Sequence, residues 1–373
     1  MFNNLFPYLC PSLFETSMST LKLNRFPKSN SSSLQAFNAA DELIHATFPS
    51  LSGEVGIFND AFGYLTCQYH NNNPIVVCDL QSQVISAKKN LKANHLALDQ
   101  KNFKQLFDLK SNALETVLFK IPKSNEAFEM YLQFIHQAIK ADGRVVCGFM
   151  TKYFNAGMVT IAEKYFKDIS QTKATKKARL LLLSNKKEVE TPFQKLNNLT
   201  YKDLTVKQYY GVFSADKIDY ATEFLLDNLT IPEQTDNVLD LACGNGIIGK
   251  VVAQKTNIEN LHFIDDSSLA IASAKLNNIE KQQYFHHHYN LHEFEDNYFD
   301  WILTNPPFHF GHIIDISIPL MLFEESYLKL KPNGRLTVVA NASLGYLPTL
   351  EKLFKKVETN RNNPKFIIYE CWK

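Results

Sequence analysis

The same order of punctuation occurs twice along this chain, and that repetition constrains its fold more than any other feature. In the second half an apolar run ends in Val238-Leu239-Asp240 and enters a turn rich in glycine, with a helical pattern from Ile247. A second run, Leu261 to Ile264, ends in Asp265-Asp266. A third, Phe299 to Leu303, stops at Asn305-Pro306-Pro307-Phe308, and Lys331-Pro332-Asn333-Gly334 turns into Arg335 to Val339. Strands alternating with helices give an α/β fold with a doubly wound, mostly parallel sheet. The first half keeps the order: Gly56 to Gly63, then Pro74 to Asp79 with a helix from Ser82, then Thr116 to Phe119 running into Lys120-Ile121-Pro122-Lys123, then Gly143-Arg144 turning into Val145 to Phe149. By spacing, Asn59 pairs with Asp240, Asp79 with Asp265 and Lys120 with Asn305. We read an internal duplication whose first copy has lost its chemistry. Two unrelated α/β domains with similar turn residues are the alternative.

A chain of 373 residues suits two such domains. The polar stretch Ser184 to Asp203 places the boundary, giving a tail at 1–17, a first domain at 18–190 and a second at 191–373. The first 17 residues are apolar without Lys or Arg, which does not suit a secretory signal, and Met18 offers an alternative start. No apolar run approaches the ~18 residues of a membrane span. Six cysteines without a Cys-x-x-Cys pair fit neither a zinc site nor a disulfide framework, so a reducing cytoplasm is expected. Residues 1–185 carry 20 Lys+Arg against 14 Asp+Glu, and the remainder 19 against 24, so the first half is the side for a polyanion.

The turn Asp240-Leu241-Ala242-Cys243-Gly244-Asn245-Gly246 lets a backbone approach a ligand closely ahead of a helix N-terminus. Asp265 supplies the strand-end carboxylate that a ribose diol needs. Both features suit dinucleotides as well as other nucleoside cofactors, and Asn305-Pro306-Pro307-Phe308 decides between them. An exocyclic amine on an aromatic base is a weak nucleophile because its lone pair is delocalised into the ring. Acceptors on its two hydrogens, here the Asn305 amide oxygen and the Pro306 carbonyl, expose that lone pair. The two prolines stiffen the turn, and Phe308 can stack on the base. A strand terminator is the bland reading of Asn-Pro-Pro, and the accompanying turn and Asp265 outweigh it.

With these residues in place, the second half resembles the Asn-Pro-Pro-Phe/Tyr amino-methyltransferases. From about Leu21 onward the chain is similar to the large-subunit (23S) rRNA guanine-N2 methyltransferases, sister to the small-subunit (16S) enzymes. The first-half matches Arg25-Phe26-Pro27, Asn59-Asp60-Ala61-Phe62-Gly63 and Lys176-Lys177-Ala178-Arg179 favour the former. The resemblance implies two tandem Rossmann-like class I methyltransferase domains, the N-terminal one degenerate and RNA-binding, and S-adenosyl-L-methionine as cofactor. Asp240, Gly244, Gly246, Asn305 and, at its ribose, Asp265 would hold that cofactor. Asn305 to Phe308 would hold the base, and Phe213 with Ser214 would border the pocket. Ala242 stands where the family has the first glycine of the turn, a replacement tolerated if its φ is negative. Asn290 is our choice for the adenine contact. The guanine must be unpaired or flipped, so naked or partly assembled 23S rRNA is the expected partner of a monomeric enzyme.

Other features carry less. His286-His287-His288 and His292 form no metal site, since strand neighbours face opposite sides. His309 and His312 are RNA contacts or pocket-covering loop residues. Lys173, Lys176, Lys177 and Arg179 either grip phosphates or form a solvated basic turn. Methylation of a release-factor glutamine or of adenine N6 uses the same Asn-Pro-Pro logic. A non-catalytic assembly factor would not keep Asp240, Asp265 and Asn305.

Overall fold

Near-continuous apolar runs separated by helical segments can be buried on both faces, which a parallel sheet between helix layers provides. The computed structural model describes residues 21–26, 34–189, 196–233, 235–277, 279–307, 309–310, 313–314 and 316–373. The expected tail, Met18, Phe308 and His312 lie outside the described residues. Two compact units result, one running to Cys78 and resuming from Gln83 to Phe193, the other taking 79–82 and 194–373.

The first sheet and its helices comprise α1 (Ala39–Thr47), β1 (Val55–Phe58), α2 (Tyr64–Gln68), β2 (Ile75–Val77), α3 (Gln81–Ala93), β3 (Phe103–Lys104), β4 (Leu114–Lys120), α4 (Asn125–Ala138), β5 (Ile139–Met150), α5 (Ala156–Tyr165), β6 (Phe166–Gln171) and β7 (Ala178–Lys186). Its strand order is β3-β2-β1-β4-β5-β7-β6, with β7 antiparallel to both neighbours.

The second unit opens with a hairpin, β8 (Leu196–Tyr201) and β9 (Leu204–Tyr209). There follow α6 (Tyr220–Asp227), β10 (Asn237–Leu241), α7 (Ile247–Lys255), β11 (Asn260–Asp265), α8 (Ser268–Leu276), β12 (Gln282–His287), β13 (Phe299–Thr304), the short β14 (His309–Phe310) and β15 (Ile313–Ile314), α9 (Ser317–Lys329), β16 (Leu330–Asn341), α10 (Leu347–Leu353), β17 (Lys356–Asn362) and β18 (Phe366–Trp372). Its main sheet runs β12-β11-β10-β13-β16-β18-β17, the same order position for position as the first.

Alternation along the strands sorts the core. Val238, Leu261, Phe263, Trp301 and Leu303 face one way, against Leu225 of α6, Val251 and Val252 of α7 and Ile271 of α8. Leu239, Leu241, Ile264, Ile302 and Val338 face the other, against Leu322 and Phe323 of α9 and Leu350 of α10. Each large side chain so buried contributes about 1.5–3 kcal/mol.

Hydrogen-bond register fixes which residues of the two copies correspond. Phe58 pairs with Val77 and Phe119, as Leu241 pairs with Ile264 and Thr304. Ile57 therefore stands at the Asp240 position, Asn59 at Ala242, Cys78 at Asp265 and Lys120 at Asn305. Spacing had matched Lys120 correctly but placed Asn59 two residues off and Asp79 one residue off. The connections differ in length between the copies, so counting from a turn residue drifts where a ladder does not.

Candidate active site

In a doubly wound sheet, ligands sit outside the carboxyl ends of the strands where the strand order reverses. Here that point lies between β10 and β13. The turn after β10, the end of β11 and the turn after β13 carry Ala242 to Gly246, Asp265 and Asn305.

Three residues of the first turn have positive φ: Ala242 at 58°, Gly244 at 54° and Gly246 at 79°. The negative φ on which tolerance of Ala242 was conditional is not met. The chain must reverse between β10 and α7 in five residues, and it uses the left-handed region at every second one. Gly246 N-caps α7, and a Cβ there would come within 3.2 Å of Ala274 and Phe263. At Gly244 a Cβ would meet nothing within 4 Å, so the turn is open on that side. The Gly244 N–H donates to Asp265 Oδ2 (3.0 Å) and Ser267 N–H to Asp265 Oδ1 (2.9 Å), which aims the carboxylate along the turn. Burial raises the Asp265 carboxyl to about 7. Asp240 has no exposed surface; its Oδ2 accepts from the Gly249 N–H (2.8 Å) in the first turn of α7, and its Oδ1 has no partner among the described residues. Burial pushes it up to about 8. Cys243 is buried, and burial holds its thiol well above the usual range, which removes it as a nucleophile.

Asn305 is half-buried, with Pro306 buried behind it and Pro307 exposed. Its Nδ2 donates to Asp219 Oδ2 and to Thr222 Oγ1, both at 3.0 Å. Both amide hydrogens are thereby engaged, and no described residue donates to Oδ1. Asp219 is the N-cap of α6 and accepts from the Ala221 and Thr222 N–H groups with the same oxygen. Neither Asp219 nor Thr222 was singled out from sequence, although an Asp ahead of a helical pattern is a cap signal.

Phe213 is 68% exposed. Its loop is held by Gln208, whose Nε2 donates to the carbonyls of Val212, Phe213 and Ser214 at 3.2–3.3 Å. Gln208 Oε1 accepts from Asn245 Nδ2 (2.8 Å), joining that loop to the glycine-rich turn. The sequence signal for Gln208 was a polar residue in register with Leu204 and Val206 on the covered face of β9. Asn290 is buried, with Nδ2 2.9 Å from His292 Nδ1. His286 and His288 face Glu293 (2.9 and 3.4 Å), whereas His287 meets the Asp266 carbonyl (2.9 Å), the alternation expected of strand neighbours.

In the first unit, Lys176 (φ 48°) and Lys177 (φ 62°) form the two-residue turn between β6 and β7, closed by paired hydrogen bonds between Thr175 and Ala178. Lys173, Lys176 and Lys177 are exposed; Arg179 Nε donates to the Thr172 carbonyl at 2.7 Å.

The chain matches two family models, the RLMG N-terminal domain over residues 11–189 and the Methyltransferase small domain over 203–370. It is 33% identical to the ribosomal RNA large subunit methyltransferase G of Shewanella oneidensis, covering 96% of this chain and 99% of that one. The protein of the same name from Colwellia psychrerythraea is 31% identical over 97% and 99%. Among solved structures, the Thermus thermophilus 16S rRNA N2 G1207 methyltransferase in complex with AdoMet and guanosine shares the fold, with a TM-score of 0.73 at 20% identity over 90% of this chain and 92% of that one. With two unequal copies of one methyltransferase sheet and full-length likeness to these relatives, the chain belongs to the ribosomal RNA large subunit methyltransferase G family.

Proposed function

We propose that this enzyme transfers a methyl group from S-adenosylmethionine to the exocyclic N2 of a guanine in large-subunit rRNA. The observation that carries the reading is the Asn305 amide, whose two hydrogens are both engaged, which leaves its oxygen to accept from an amine.

The second unit fits the cofactor. Gly244 leaves room at the turn, Asp265 presents a carboxylate to a ribose diol, and the Gly246 turn opens α7. When bound, S-adenosylmethionine supplies an electrophilic methyl group on a sulfonium. Asn305 Oδ1 and the Pro306 carbonyl accept the two amine hydrogens, which localises the nitrogen lone pair outside the ring plane. With the cofactor bound, that lone pair would be free to take its methyl group, the carbon–sulfur bonding pair staying with sulfur and one amine proton passing to water. Catalysis is positioning and electrostatics, without a covalent enzyme nucleophile. Phe213, exposed on a loop tied to the cofactor turn, borders the base, and Asn290 serves the adenine end.

The first unit cannot perform this step. Lys120 at the Asn305 position has donors and no acceptor, and Ile57 and Cys78 replace Asp240 and Asp265. We assign it RNA binding, with Lys173, Lys176, Lys177 and Arg179 at phosphates. The substrate is 23S rRNA, naked or partly assembled, and the enzyme a cytoplasmic monomer. No described helix is long and apolar enough to cross a membrane, and the described cysteines are buried.

Methyl transfer from labelled cofactor to protein-free 23S rRNA, with 16S rRNA, DNA and release factor alongside, tests this. Label in 23S guanine N2 is expected, lost in Asn305→Ala with cofactor binding retained. Label confined to another substrate overturns the assignment.

A further inference from the structure

An asparagine amide can be turned over by half a rotation with little change in shape, and the two orientations offer opposite chemistry to a ligand. With Oδ1 towards an amine, Asn305 draws hydrogens out of the ring plane; with Nδ2 there, two donors face two donors. Something must select the productive orientation before the substrate arrives. Asp219 Oδ2 and Thr222 Oγ1 both lie 3.0 Å from Nδ2. An ionised carboxylate accepts and never donates, so the turned-over amide would set oxygen against oxygen at that distance. The carboxylate is itself fixed by two backbone N–H groups at the start of α6, and Thr222 is buried.

The degenerate copy supplies a second observation. Lys120, at the Asn305 position, places Nζ 3.1 Å from Asn38 Oδ1 and 2.8 Å from Asp41 Oδ1. Asn38 is the N-cap of α1 and Asp41 its third residue, as Asp219 is the N-cap of α6 and Thr222 its third residue. Both copies thus anchor the side chain that follows the fourth strand on the N-cap and third residue of the first helix. Where the chemistry is gone, the anchor has become an ion pair. Where it is kept, the anchor holds an amide by its nitrogen.

We infer that Asp219 and Thr222 are positioning residues for methyl transfer, holding the Asn305 amide with its oxygen towards the acceptor amine. This rests on the reading that the site acts on an exocyclic amine. Asp219→Asn keeps a good helix cap but can accept or donate, so it tolerates either amide orientation. Thr222→Val keeps the shape and removes the acceptor. With the full-length chain and its rRNA substrate, each variant is expected to lower kcat about 10- to 100-fold while cofactor binding stays at the wild-type level. Thr222→Ser should restore the rate. Adding Asp219→Asn to Asn305→Ala should cost nothing further, because the group acts as a unit. Nitrogen–proton NMR of the Asn305 side chain should show both amide protons protected from exchange in the wild type and one of them exposed in Thr222→Val. Unchanged kcat in both variants, or an equal further fall in the Asn305→Ala background, would overturn the inference. If the unmodified chain transfers no methyl to guanine, the substrate reading falls alone, and the NMR comparison still decides whether the amide is held.

Discussion

The turn between β6 and β7 offers a perturbation whose two effects have opposite signs. A two-residue hairpin loop with both central residues at positive φ is the type I′ geometry, for which Asn-Gly is the favoured pair. This chain puts Lys176 and Lys177 there, at φ 48° and 62°. Each L-residue held in the left-handed region costs roughly 1–2 kcal/mol, and Asn and Gly bear far less of it. The neighbouring Lys176–Glu42 contact, at 3.3 Å with the lysine 72% exposed, offsets little of this, since exposed pairs are worth about 0–1 kcal/mol. Replacing the pair by Asn-Gly relieves roughly 2–4 kcal/mol over the two residues, less the lost pair and the greater unfolded-state freedom of glycine. It should therefore stabilise the first unit by about 1–3 kcal/mol, raising its melting temperature by roughly 2–4 °C per kcal/mol. The same change removes two charges from the proposed phosphate contact, so the slope of log affinity for rRNA against log salt should shrink by about 1.5. Thermal denaturation of the full chain and filter binding across a salt series read the two effects. A Lys176→Gln, Lys177→Gln variant separates them, losing the slope without gaining stability. If the Asn-Gly chain is no more stable, the strain is not there; if its salt slope matches the wild type, the turn does not touch RNA.

Ala242→Gly should stabilise the second unit by up to about 1 kcal/mol, since φ 58° suits glycine and not alanine, and Ala242→Val should do the reverse; urea denaturation at constant m-value checks both. Gly249→Ala would put a Cβ 2.5 Å from Phe263 and 3.2 Å from Asp240 Oδ2, and should destabilise by about 1–3 kcal/mol. Asp240, at about 8 when folded against an ordinary 3.8, keeps its proton in the folded chain where the unfolded chain has lost it. Stability of the cofactor-free enzyme should thus fall as pH rises from about 4 to 8, by up to roughly 1.4 kcal/mol per unit, and denaturation of Asp240→Asn across that range should lose this part of the slope.

The framework and the centre of the site were legible because their signals are local. Three apolar runs of each half end in a polar or proline-bearing turn, and Asn305 and Asp265 sit at two of those ends. What escaped was conformational or long-range. The sign of φ at Ala242 follows from how quickly the chain must turn into α7, which a small residue does not encode. Asp219 and Thr222 reach Asn305 across 86 and 83 residues, a distance over which periodicity says nothing. Gln208 shows as a polar residue in an apolar register, but its two partners, a loop carbonyl cluster and Asn245, belong to different segments. The register between the copies needed the strand ladders.

The degenerate copy shows which parts of the site are structural. Gly63 keeps φ 83° at the N-cap of α2, as Gly246 keeps 79° at the N-cap of α7. A Cβ on Gly63 would lie 2.6 Å from the Ala87 backbone, so the turn is held by packing and survives without a ligand. The groups proposed to touch a ligand have no such support, and Ile57, Cys78 and Lys120 have replaced Asp240, Asp265 and Asn305. Lys120 keeps the anchor on Asn38 and Asp41 as a largely buried pair, its side chain 13% exposed and that of Asp41 7%. Reverting Lys120→Asn should therefore not create a second active site, because Ile57 and Cys78 remain. It should instead destabilise the first unit by about 3–5 kcal/mol, the cost of leaving a buried carboxylate without its cation. A milder loss would mean that the shorter amide reaches Asp41 and rebuilds the anchor of the second copy. Denaturation of the variant, with cofactor-binding stoichiometry measured alongside, distinguishes the two: one site per chain is expected either way, and two would show that the amide alone separates the copies.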